Sequence, residues 1–318
     1  MLRGWHHTEM TDNRAPALAV AGGLVAAGGA ALAYGAGYEV RAFKLRRIQV
    51  PVLPLGQRPL RILQISDLHM TPGQDRKRRW VRTLAALEPD IVVDTGDNLA
   101  HVASVPHLLD ALGPLLERPG VFVFGSNDYY SPVGGNPARY LLRRDGTRGQ
   151  ARRRPMDLPT AELQDALTEV GWEYLGNART RLKLDGRVVD FVGVDDPHID
   201  RDRYDAVAGP ADAAADISIG LVHAPYRRVL HAMAADGHQV ILAGHTHGGQ
   251  LRVPGIGALV TNCDLDRSRA RGLSRWPDRR DPAASWLHVS AGLGTSPYAP
   301  VRFCCPPEAT LLTLTEVR

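Results

Sequence analysis

Five short apolar runs in this chain, at 60–65, 91–93, 121–124, 217–222 and 240–243, each stop at a turn rich in Asp, Asn or His. A run of that length with no polar alternation reads as a strand buried on both faces, the kind found in parallel sheets. Helical spacing fills the gaps at 76–87, 106–116 and 160–170, the last with Thr160 as its candidate N-cap. Shorter strand signals follow at 172–175, 180–184 and 187–194, and late ones at 286–289 and 309–314. Strand and helix in alternation predict an α/β fold, drawn as two sheets with helices outside.

The turns matter because open α/β sheets collect ligands at the carboxyl ends of their strands. They read Asp67-Leu68-His69, Gly96-Asp97-Asn98, Gly125-Ser126-Asn127-Asp128 and Gly244-His245-Thr246-His247, with His223 opening a further turn. A carboxylate and an imidazole two residues apart can converge on one divalent ion, although a lone Asp-x-His is a weak signal. Asp97 offers a carboxylate able to bridge two ions, and bridging holds cations about 3.5–4 Å apart, the spacing of two-metal phosphoryl transfer. A buried structural histidine explains any one of these residues. It does not explain four histidines and two aspartates gathered at strand ends. His101, His107, His231, His238 and His288 lie outside these blocks and read as surface or packing residues.

The remaining composition is that of a globular chain of 318 residues with a formal charge of +4. Seven arginines and one acid, Asp145, fall between 139 and 154, inside a Pro/Gly/Arg-rich loop expected at 131–158. Such a run is ordinarily a solvated loop; the sharper reading is contact with anionic headgroups or an anionic substrate. No aromatic interleaving accompanies the arginines, so no nucleic-acid partner is expected. Cys263, Cys304 and Cys305 show no metal-ligand spacing and read as reduced, mostly buried thiols, which leans toward a cytosolic setting.

The first 59 residues read as three pieces: a tail at 1–14, an apolar segment at 15–38 and a basic, proline-rich linker at 39–59. No charge interrupts 15–38, and about 20 such residues cross a bilayer as a helix. Arg41, Lys44, Arg46 and Arg47 follow, against Arg3 and Arg14 before it. Positive residues stay inside, which predicts a membrane-anchored protein with a cytoplasmic catalytic domain at 60–318. A cleaved signal peptide and a soluble helix are the competing readings of the same segment.

Taken in order, the blocks resemble the calcineurin-like metallophosphoesterase superfamily from about Leu60 to Leu314. The Gly292-Leu293-Gly294-Thr295-Ser296 and Pro300-Val301-Arg302-Phe303 ending is similar to its membrane-anchored branch, which includes a hydrolase of UDP-2,3-diacylglucosamine. The resemblance implies a four-layer double β-sandwich flanked by helices and a site for two divalent ions, manganese, iron or zinc. Asp67, His69 and His247 would hold the first ion and Asp97 would bridge. His223, His245 and an asparagine would hold the second, and a hydroxide shared by the ions would attack phosphorus in line. The implied substrate is a phosphorylated small molecule or lipid.

This chain departs from the family pattern at one place. The family's Gly-Asn-His-Asp/Glu block is Gly125-Ser126-Asn127-Asp128 here. A strict match puts Ser126 at the ligand, whereas a slip of one residue puts Asn127 there, the choice favoured by the amide oxygen's better coordination. The histidine acid is missing either way, and an asparagine cannot supply a proton. Asp128 is read as a catalytic residue that orients a site histidine. Asp196 and His198 are read as substrate contacts or a substitute acid. A metal-binding scaffold that has lost turnover is the alternative reading.

Overall fold

The computed structural model describes residues 14–134, 155–281 and 283–317. Strands are numbered in chain order. One six-stranded sheet runs β1 (Lys44–Leu53), β14 (Glu308–Glu316), β2 (Leu60–Ile65), β3 (Ile91–Asp94), β4 (Gly120–Phe122), β5 (Glu173–Tyr174). The other runs β12 (Gly272–Trp276), β13 (Ser285–Val289), β9 (Val240–Ala243), β8 (Ile217–Val222), β7 (Arg187–Gly193), β6 (Ala178–Leu184). A small hairpin joins β10 (Arg252–Val253) to β11 (Gly257–Ala258). The helices are α1 (Arg14–Gly37), α2 (Asp75–Thr83), α3 (Val105–Leu112), the single turn α4 (Ser126–Tyr129), α5 (Thr160–Glu169) and α6 (Arg227–Ala235).

The apolar runs are continuous because each strand buries both faces. Leu60, Ile62, Ile91, Val93, Val121 and Val123 from one sheet meet Ile217, Ile219, Leu221, Val240 and Leu242 from the other. The intervening residues face outward. Leu63, Ile65, Val92 and Phe122 pack with Val81, Leu108, Leu112, Leu163 and Leu167, while Val222, Ile241 and Leu287 pack with Val229, Leu230 and Met233. Two stacked sheets with helices on their outer faces make a mixed α/β fold. Within it β2, β3, β4 and β5 are parallel, as are β7, β8, β9 and β13, so the carboxyl ends of β2, β3 and β4 carry the metal-type turns of one sheet and those of β8 and β9 carry the turns of the other.

Four expectations change. Residues 44–53, read as linker, form β1 at the sheet edge, parallel to β14. Proline lacks the N–H a central strand needs, so Pro51 hid a strand that an edge position tolerates. Thr160 begins α5 rather than capping it, and its hydroxyl donates to the Asp128 carbonyl at 2.6 Å. Cys304 is exposed, not buried. The transmembrane expectation is also corrected. A helix does form, but no helix among the described residues is long and apolar enough to cross a membrane. Alanine and glycine dominate the run, and side chains of one carbon or none bring little apolar surface to lipid. Most of the arginine-rich loop, 135–154, lies outside the described residues.

The foot of α1 is tied to the sheets. Arg302 N–H donates to the Gly35 carbonyl at 3.3 Å, and the ring of Tyr34 meets Phe303 edge-on. Glu39 is buried and accepts the N–H groups of Cys304, at 3.0 Å, and of Cys305.

Leu242→Ala in the shared core should lower unfolding stability by about 2–5 kcal/mol. Leu55→Ala, at a position 78% exposed, should change it by less than about 0.5 kcal/mol. Urea denaturation of both variants compares them; equal losses would contradict the assigned core.

Candidate metal centre

The turns after β2, β3, β8 and β9 meet on one rim, and their backbones are bent in an uncommon way. Asp67, His69, Asp97, His245 and His247 have φ of 49°, 43°, 58°, 69° and 48°. Left-handed backbone costs a non-glycine residue about 1–3 kcal/mol, so it persists only where the surroundings enforce it. Here the turns brace each other: Asp67 N–H donates to the Gly96 carbonyl at 2.8 Å and His69 N–H to the Asp97 carbonyl at 3.0 Å. Two glycines permit the approach. A Cβ at Gly125 would collide with the Asp97 carboxylate and the His223 ring, and one at Gly244 with Ser66 and Asp67.

Four imidazoles converge in two pairs. His69 Nε2 lies 3.1 Å from His247 Nε2, and His223 Nε2 lies 3.3 Å from His245 Nδ1. In the second pair both remote nitrogens are committed as donors, His223 Nδ1 to the Thr95 carbonyl at 2.7 Å and His245 Nε2 to the Asn262 carbonyl at 3.2 Å. Two neutral rings so held point lone pair at lone pair. A proton or a metal ion must lie between them. His247 is oriented in the same way, Nδ1 donating to the Gly294 carbonyl at 3.1 Å. Anchoring the remote nitrogen on a carbonyl is how proteins aim a ligating histidine.

Two carboxylates complete the set. Asp97 turns Oδ1 to His223 Nε2 at 3.5 Å and Oδ2 to His69 Nε2 at 3.6 Å, so its two oxygens face opposite histidine pairs. Asp67 Oδ1 lies 3.6 Å from His247 Nε2. Donor atoms of Asp67, His69 and His247 fall within 4.8 Å of one another, as do those of Asp67, Asp97 and His223. Asp67 thus stands in both groups, not one. The donor chemistry fits hard or borderline divalent cations.

Burial raises the Asp67 carboxyl to about 6. Burial opposes charge on Asp97 too, yet His223 and the Asn127 N–H hold it well below the usual carboxylate range. His223 is the counterpart: burial resists its charge, but Asp97 keeps its pKa well above the ordinary value. Burial lowers His69 to about 4 and holds His245 and His247 well down. Three of the four rings are therefore neutral and able to ligate.

The 125–128 turn lies against this set. Asn127 N–H donates to Asp97 Oδ1 at 2.7 Å, and its side-chain amide donates to the Tyr130 carbonyl at 3.0 Å. The Asp128 carboxylate accepts the N–H groups of Asp97, Asn98 and Gly125 at 2.8–2.9 Å and so clamps two turns together. Asp196 accepts His198 N–H at 2.8 Å, and its Oδ2 is buried with no hydrogen-bond partner among the described residues. The His198 ring packs on His245, with centroids 4.5 Å apart and Nδ1 3.1 Å from the Tyr226 hydroxyl. Sequence reasoning gave no role to Arg302. It is fully buried, and one nitrogen serves the carbonyls of Ala291, Gly292 and Gly294, the last being the acceptor that aims His247. Only its place in the 300–303 block marked it.

Metal affinity should rise with pH. Below about 6 Asp67 holds a proton, and His223 holds one to higher pH; an ion must displace both. The three depressed histidines stay neutral and contribute nothing across this range. The affinity of metal-stripped protein for manganese should tighten at least about tenfold from pH 5.5 to 7.5. Titration calorimetry checks this, and a flat profile would contradict the site.

A model of the calcineurin-like phosphoesterase family matches residues 60–249, which includes every residue of the strand-end set. UDP-2,3-diacylglucosamine pyrophosphatase LpxG of Chlamydia trachomatis is 28% identical over 294 residues, covering 80% of this chain and 83% of that protein. Phosphodiesterase YaeI of Escherichia coli is 26% identical, covering 86% and 88%. A transmembrane protein with a metallophosphoesterase domain from Bos taurus is 28% identical over 68% of this chain but only 47% of its own length. With the family's span and the strand-end donors coinciding, the chain belongs to the calcineurin-like phosphoesterase family and is a metal-dependent phosphoester hydrolase.

Proposed function

We propose that the chain hydrolyses a phosphoester or pyrophosphate bond at a centre for two divalent ions. Asp67, His69 and His247 would hold one ion, His223, His245 and the Asn127 amide oxygen the other, and Asp97 would bridge. The observation that carries this is the His223–His245 pair, whose Nε2 and Nδ1 face each other at 3.3 Å with both remote nitrogens already bound. Two ions in such a centre supply Lewis acidity and activate water near neutral pH.

The chain's own residues do the rest. Thr95, Asn262 and Gly294 carbonyls fix the rings, Asp128 fixes the Asp97 turn, and Asn127 N–H holds the bridging carboxylate in place. Ser126 and Asn127 stand where the family's acid would be, so the leaving group departs with little help from a proton. We infer a preference for leaving groups that are stable as anions, such as one phosphate of a pyrophosphate. His198, packed against His245, and Asp196 are the proposed substrate contacts. A lipid- or nucleotide-linked substrate is supported by the likeness to LpxG and by the exposed Leu32 and Tyr34 near the end of α1. Relatives named as transmembrane proteins support membrane association. The Ser126-Asn127 departure favours one other reading, a metal-binding scaffold without turnover.

Manganese-loaded protein should hydrolyse bis-p-nitrophenyl phosphate, and Asp97→Asn or His245→Ala should each reduce kcat/KM by about a thousandfold. Metal bound at full stoichiometry with no turnover on any ester would replace this reading by the scaffold. Across a series of aryl and alkyl esters, rate should fall steeply as leaving-group pKa rises. A shallow dependence reaching alkyl alcohols would show that a general acid is present after all.

A further inference from the structure

A second cationic feature lies at the foot of α1, outside the strand-end centre. Five of the nine residues of α2 are basic, and the fold disposes of them unequally. Arg78 pairs with Asp75 and Asp110, and Arg82 with Asp110. Lys77 is buried, donating to the Leu68 carbonyl at 2.6 Å and to Gln74 at 2.9 Å. Arg76 and Arg79 are exposed, and among the described residues neither has a carboxylate at ion-pair distance. Spacing of three and four places Arg76, Arg79 and Trp80 on one helix face. That face looks onto the chain leaving α1.

Together they line a cleft of about 420 Å³ whose other walls include Arg41, Phe43 and Lys44. Phe43 stacks on Trp80 with ring centroids 5.4 Å apart. Among the described residues four cations and no acid line it. Such a cleft suits a phosphate. What surrounds it selects the source: the last two turns of α1 expose Leu32 and Tyr34 at 61% and 47%, and Tyr38, just past the helix and 61% exposed, borders the cleft. Aromatic and basic side chains side by side are the usual furniture of a bilayer interface, where the headgroup phosphate lies beside the acyl boundary. A soluble phosphate has no use for the apolar half of that surface.

We propose that this cleft holds the headgroup phosphate of an anionic phospholipid and seats the foot of α1 on a membrane surface. The proposal rests on the membrane association proposed above and is independent of what the metal centre hydrolyses. Full-length protein is sedimented with phosphatidylcholine vesicles with and without phosphatidylglycerol, as wild type, Arg76→Gln/Arg79→Gln and Arg47→Gln/Arg58→Gln. Each basic residue near an anionic surface contributes about fivefold to partitioning, so the first variant should lose about 25-fold on anionic vesicles. The second, equal in charge but outside the cleft, should lose no more than a few-fold. Turnover of the soluble ester should be unchanged in both. Equal losses in the two variants would overturn the headgroup site while leaving membrane association standing. No vesicle binding by the wild type would overturn both, without bearing on hydrolysis. Tight, saturable binding of inorganic phosphate without vesicles, lost in Arg76→Gln/Arg79→Gln, would assign the cleft to a soluble anion instead.

Discussion

Buried nitrogens that face each other 3.1 and 3.3 Å apart are the constraint around which the rest of this molecule is arranged. Taking imidazoles out of water costs hydrogen bonds that the protein must replace. The replacement is visible in three carbonyls, from Thr95, Asn262 and Gly294, each accepting the far N–H of a ring. Each fixes a tautomer and so fixes where a lone pair points. Asp67 and Asp97 add two carboxylates whose surroundings push their pKa values in opposite directions, the separation seen where two like groups take different tasks.

Holding that crowd together requires both sheets. One supplies the carboxylates and His69, the other supplies His223, His245 and His247, and the core between the sheets sets their separation. The turns that present them are strained, and the strain is borne by groups outside the donor set. Asp128 binds three N–H groups from two turns, and Arg302 gathers three carbonyls of the 291–294 segment. Removing either would leave several buried polar groups unpaired, which costs more than the bonds themselves contribute.

Much of this could be read before any coordinates. The 60–65, 217–222 and 240–243 strands were legible because strands buried on both faces are apolar without interruption, and the turns were legible because Asp and His are rare at such ends. What failed did so for physical reasons. Pro51 disguised β1, since proline is disfavoured in every strand but an edge one. The clamp that Asp128 makes on the Asp97, Asn98 and Gly125 N–H groups left no sign in sequence, because only the fold brings those turns together. The N-terminal run was uncharged for long enough to span a bilayer, but length and neutrality do not make alanine and glycine apolar enough. Carbonyl partners such as Asn262 leave no trace in a sequence, because every residue has a carbonyl. Arg302 and Glu39 show the same limit: residues far apart in sequence meet only through the fold, and here they link the foot of α1 to the segment beside His247.

The facing nitrogens are proposed to mark two cation positions joined by Asp97. Crystals of the manganese-loaded protein, measured at the manganese absorption edge, test it most directly. Two anomalous peaks are expected, one beside the His69–His247 pair and one beside the His223–His245 pair, with Asp97 oxygens reaching both. A single peak, or manganese bound elsewhere with His223 still bonded to His245 through a proton, would contradict it.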